Sequence, residues 1–238
     1  MISRRMRLYL LLVIALSLLS WASLLPSYPV HSWWVVVFLA LLAFALSSMA
    51  VELPFASSIS MIYSALFAAL VYAGPIGAAV VGVVSGISVQ ELREHKPLVL
   101  MIGNAAQLSL SAMAAGLVYL ALGGMPFQSG FVPAFSWAVG VLAPIAATTT
   151  FFGVNLILIV AGISLNTGMR PSEILRELKP TAYWVSLLVL TLLGVAMAYL
   201  LALRSWFGLV LLVLPFWMAR RTFQVYVEIG RASCRERV

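Results

Sequence analysis

The sequence predicts an all-α fold, a polytopic integral membrane bundle of about eight spans with both ends cytoplasmic, and three observations lead there. First, 63% of the 238 residues are apolar, 9% are charged and the mean hydropathy is +1.10. Soluble domains run at roughly 45–50% apolar and 25% charged. Second, apolar runs long enough for a hydrocarbon core of about 30 Å recur along the chain. Third, the basic residues fall in short clusters between those runs, a pattern that orients a membrane protein and does not read nucleic acid.

Taken in order, the first span is Leu8–Leu25, preceded by Arg4, Arg5 and Arg7. A charged start and an apolar run also open a signal peptide, but the length of this run and the apolar chain beyond it favour an uncleaved helix. Trp33–Val51 is the second span. Ile59–Ala73 and Pro75–Gln90 are short, and Gly74-Pro75 separates them. They are either two tilted spans or the arms of a re-entrant hairpin, which lowers the count to six. Leu98–Leu122 is the fifth. Ala134–Leu165, at 32 residues, would extend about 48 Å as a straight helix, so a kink at Pro144 is expected. Pro171–Lys179 sets Ile174, Leu175 and Leu178 on one face and Glu173, Arg176 and Glu177 elsewhere, as a short interfacial helix does. Ala182–Leu203 and Trp206–Ala219 complete the set.

Charge fixes the parity. Arg4/Arg5/Arg7, Arg93/Lys96, Arg170/Arg176/Lys179 and Arg220/Arg221 all qualify as cytoplasmic, so an even number of crossings separates each consecutive pair. Only Arg204 is left outside, at the tip of a hairpin.

The chemistry-bearing residues are few. All seven acidic residues are glutamates, and the absence of aspartate removes most carboxylate metal sites and the usual phosphoryl-transfer constellations. His31 and His95 lie in separate loops, Cys234 is the lone cysteine, and Glu52 sits at a span end. These point to no cofactor, no metal and no catalytic residue. Ala78, Gly82 and Gly86 repeat at four-residue spacing and mark a helix contact face. Asn104, Gln107 and Ser111 share one face of the fifth span, and Thr148 and Asn155 share one of the sixth. Carboxamides are costly in hydrocarbon unless hydrogen-bonded, so these faces look inward. Two readings stand: the five residues are interhelical glue, or they line a pocket for a small molecule of unknown identity.

The stretch Asn104–Tyr119, the interfacial helix and the ending Met218–Ile229 together resemble the amino-terminal membrane region of bacterial HD-domain phosphohydrolases, often of the HD-GYP type that hydrolyses cyclic di-GMP. The resemblance covers 98–229. It implies a sensory or anchoring input region in the bacterial inner membrane, and signalling through a metal-dependent catalytic domain. That domain, with its His-Asp ligands and Gly-Tyr-Pro motif, is absent, so the expectation for this fragment is no enzyme. A homodimer formed through the missing cytoplasmic domain is also implied. Spans three to five resemble, more faintly, the substrate-binding subunits of energy-coupling-factor vitamin transporters, which implies a small-molecule transport component as the alternative.

The last nine residues, Gly230–Val238, change composition abruptly and resemble a translated sequencing-library adapter. The expected domains are therefore a transmembrane region over 1–229 and a non-native tail over 230–238. Without the tail, 11 basic and 6 acidic residues leave a charge of +5.

Overall fold

A computed structural model describes residues 3–47, 51–52, 58–59, 62–87, 97–129, 137–178 and 180–204. Arg93, His95, Lys96, Lys179, the expected span Trp206–Ala219, Arg220, Arg221 and the tail lie outside the described residues. Seven α-helices build the described part: α1 Arg4–Leu24, α2 Trp33–Ser47, α3 Ile62–Ser85, α4 Leu98–Ala121, α5 Ala143–Thr167, α6 Pro171–Leu178 and α7 Pro180–Ala202. Four helical stretches are long and apolar enough to cross a membrane: Arg4–Leu24, Ile62–Ser85, Leu98–Ala121 and Val139–Thr167. Trp33–Ser47 and Leu187–Ala202 are shorter apolar helices.

The helix α3 is broken at Gly74, whose φ of 77° and ψ of −164° are open to glycine and strained for any other residue. Pro75, with no N–H to satisfy, then starts the second arm. The arms, 62–73 and 75–85, fold back on each other. Ile62 and Ser85 line the same cavity, whereas the ends of a straight 24-residue helix lie about 35 Å apart. A Cβ placed on Gly77 would also fall 3.4 Å from the carbonyl oxygen of Ala69, eight residues back. In a continuous helix that rise is about 12 Å. Residues 64–79 are all buried, so this hairpin is the centre of the bundle.

Contacts fix the direction of each helix. Ser3 Oγ donates to the Leu165 carbonyl at 3.3 Å and Tyr9 Oη to that of Leu158 at 2.6 Å, so the start of α1 lies beside the end of α5. Gly103, early in α4, packs on Leu10 at the same end. At the opposite end Gln128 Oε1 accepts from the His31 N–H at 3.0 Å, while Nε2 donates to the carbonyls of Pro29 at 3.1 Å and Ala73 at 3.4 Å. That one amide joins the loop after α1, the tip of the α3 hairpin and the 3-10 turn Phe127–Ser129. Irregular backbone is tolerated in a membrane protein when protein satisfies it. Phe127 also meets Tyr199 of α7 edge-on, with centroids 4.7 Å apart. The arms of α3 therefore run from the first end to the second and back, and exposed Arg4, Arg5, Arg7 and Arg170 gather at the first.

Lipid is as apolar as leucine, so close backbone packing and hydrogen bonds join these helices more than hydrophobic burial does. Of residues 78, 82 and 86, the two glycines form a contact face whose partner is α4. A Cβ on Gly82 would sit 3.1 Å from the Leu108 carbonyl carbon, and one on Gly86 would strike Ala105. Gly116 faces Pro75, completing an antiparallel series in which numbers rise on α3 as they fall on α4. The first arm packs on α7, where a Cβ on Gly194 would fall 3.0 Å from the Ala68 nitrogen.

Two positions correct the expectations. The second span is expected to reach Val51, but Val51 is not helical: it pairs with Ile59 in a two-residue antiparallel ladder with Glu52 opposite Ser58. Pro54 disfavours helix in the residue before it, and apolarity alone does not separate Val51 or Ile59 as strand from helix. Ile59 is accordingly outside the third helix as well. Pro144 lies inside the helical stretch Val139–Thr167, as the second residue of α5 and just after a π-helical stretch, Ala138–Leu142. Prolines and π-helical turns are the usual places where a long helix bends.

Candidate functional site

Three of the five polar residues converge. Asn104 and Gln107 are one turn apart on α4, and Asn155 is on α5. Asn104 Nδ2 donates to the Gly86 carbonyl at 3.1 Å, satisfying a group past the end of the second α3 arm. Gln107 Nε2 donates to Asn155 Oδ1 at 2.9 Å and also reaches the Asn155 backbone carbonyl at 3.4 Å. Asn155 is 6% exposed, so its amide has left both lipid and bulk water. Together with Tyr63, Ser85 and Ile159, the three carboxamides line a cavity of about 170 Å³ at the open end of the α3 hairpin.

The lining sets the chemistry. Its polar groups are carboxamides and hydroxyls, which donate and accept hydrogen bonds but do not titrate near neutral pH. The volume is near that of an engineered cavity of about 150 Å³ that takes one benzene, and below the roughly 300–1,000 Å³ of drug-sized pockets. A few waters or one small polar molecule fit. A second cavity, of about 200 Å³, lies between α1, α4 and α5 and shares Asn104, Gln107 and Ile159 with the first.

Ser111 and Thr148 lie elsewhere. The Ser111 hydroxyl turns back to the Gln107 carbonyl at 2.9 Å, within its own helix. Thr148 donates to the Pro144 carbonyl at 2.8 Å and sits 2.7 Å from Thr191 Oγ1, bridging α5 to α7. Seven residues separate Thr148 from Asn155, a rise of about 10.5 Å, which brings them beside different neighbours. Sequence reasoning missed Ser85 and Tyr63 as lining. It also missed the Trp21 indole that donates to Ser109 Oγ at 2.9 Å and ties α1 to α4. A tryptophan in an apolar span carries no signal of its partner; only its N–H demands that one exist.

His31 is exposed, and among the described residues no group of three or more His, Cys, Asp or Glu could hold a metal ion. No family model, curated protein or solved structure matches the chain.

Proposed function

We propose that this chain is the membrane input region of a bacterial signalling protein, an inner-membrane anchor and sensor of eight crossings with both ends cytoplasmic. The observation that carries the reading is where the polar cavity lies: at the open end of the α3 hairpin, on the same end of the bundle as Arg4, Arg5, Arg7 and Arg170. Basic residues are retained on the cytoplasmic side, which makes that end the inner one. A small polar ligand there competes for the Gln107–Asn155 contact, and the resulting change in how α4 meets α5 passes to the cytoplasmic segments. Such a ligand acts only through different affinities for the two packings. A lining that offers hydrogen bonds and no acid or base favours sensing over catalysis.

The output domain, an HD-type cyclic-dinucleotide phosphohydrolase acting as a homodimer, is carried by the resemblance over 98–229. The transport reading draws on the paired cavities, whose shared Asn104–Gln107 wall suggests a path into the bundle. A space of about 170 Å³ is small for a vitamin-sized substrate, which favours the sensor.

Topology reporters test the placement. Fusions after Gln128 should read outside, and fusions after Lys96 or Arg170 inside. An external signal at Arg170 contradicts the scheme.

A further inference from the structure

We propose that the groove between α1, α4 and α5 is a binding site for one anionic phospholipid, an acyl chain lying in the groove and the phosphate held by the arginines of α1. The proposal rests on the cytoplasmic placement of this end and not on signalling. The groove, of about 200 Å³, is walled mainly by apolar groups, among them Met6, Leu10, Leu100, Leu158 and Ile163. Two hydrogen bonds hold α1 to α5 beside it, from Ser3 to Leu165 and from Tyr9 to Leu158. Gly103 and Gly162 lie in its wall and let α1 approach closely: a Cβ on Gly103 would strike Leu10, and one on Gly162 would sit 3.3 Å from the Tyr9 ring.

Charge selects the occupant. Met6 enters the groove, and successive helical residues turn by about 100°, so Arg5 and Arg7 fall on either side of the groove-facing direction. Arg4, Arg5 and Arg7 are exposed, and no carboxylate among the described residues pairs with them. The nearby helix α6 supplies a depth marker: Ile174 is buried, whereas Leu175 and Leu178 are partly exposed beside Arg176, as at a lipid–water boundary. An apolar cleft under exposed guanidinium groups at a cytoplasmic membrane face matches an acyl chain under a phosphate. A zwitterionic lipid fills the cleft without answering the charge, and a soluble phosphate ester answers the charge without filling the cleft.

The test adds equal amounts of phosphatidylglycerol and phosphatidylcholine to the full chain in micelles and counts retained lipid by native mass spectrometry. One phosphatidylglycerol per chain should be retained in preference to phosphatidylcholine. Replacing Arg4, Arg5 and Arg7 by Gln should weaken its retention by about fivefold per arginine, and replacement by Lys should restore most of it. Ile163→Trp, which fills the cleft and leaves the arginines intact, should also weaken it. Equal retention of both lipids overturns the proposal, as does unchanged binding in the Gln variant. Competition by glycerol 3-phosphate as strong as by phosphatidylglycerol overturns it too, since that describes a phosphate site without a cleft. If the triple variant does not fold, raised salt on the wild-type chain serves: retention should fall, and salt independence contradicts the proposal. None of these outcomes alters the reporter fusions, so failure here is distinct from failure of the sensor reading.

Discussion

Gln107 Nε2 stands 2.9 Å from Asn155 Oδ1, the one carboxamide-to-carboxamide contact among the described residues, and it joins α4 to α5 where the cavity opens. In hydrocarbon neither amide has another solvent to turn to, so the pair fixes the register of the two helices as well as their adhesion.

The pair should therefore be coupled. Gln107→Leu and Asn155→Leu are each expected to lower stability by about 0.6–2 kcal/mol, the scale of single polar contacts between membrane helices. The double variant should cost less than the sum, because either change alone breaks the contact. Unfolding in mixed micelles, measured over the full double-mutant cycle, checks this; strictly additive losses would show that the two side chains act independently.

The hairpin in α3 makes a distance prediction. With spin labels at Ile62→Cys and Ser85→Cys in a Cys234→Ser background, pulsed dipolar spectroscopy should find the labels close. A single straight helix would hold these positions about 35 Å apart. A distance near that value would mean that Gly74 bends the helix without reversing it.

Two glycines separate packing from propensity. Gly86→Leu drives a side chain into the α4 backbone at Ala105 and should destabilise by about 1–3 kcal/mol. Gly153→Ala meets nothing within 4 Å and should be neutral or stabilising by up to about 1 kcal/mol, the helix-propensity gain over glycine. Equal losses at the two sites would contradict the assigned α3–α4 interface.

Much of this architecture is legible in the sequence, for stated reasons. Gly74-Pro75 announces a break because one residue tolerates positive φ and the other lacks an N–H. The stripe through Ala78, Gly82 and Gly86 announces a close contact. Its partner was not legible, since a small-residue face says how near a helix comes and not which helix. The shared face of Thr148 and Asn155 was equally visible, yet Thr148 meets Thr191 while Asn155 meets Gln107. Two residues two turns apart on one helix face meet different neighbours. Likewise the pairing of Val51 with Ile59 comes from backbone hydrogen bonds, which hydropathy does not encode.

The proposed reading, a membrane input region of a signalling protein, is tested most directly by sequencing its source locus across the codons for Ile229 and Gly230. The account predicts that the natural frame departs from Gly230–Val238 there, continues as a connecting helix and enters an HD-type phosphohydrolase. A chromosomal sequence that encodes Gly230–Val238 and stops directly after Val238 would contradict it.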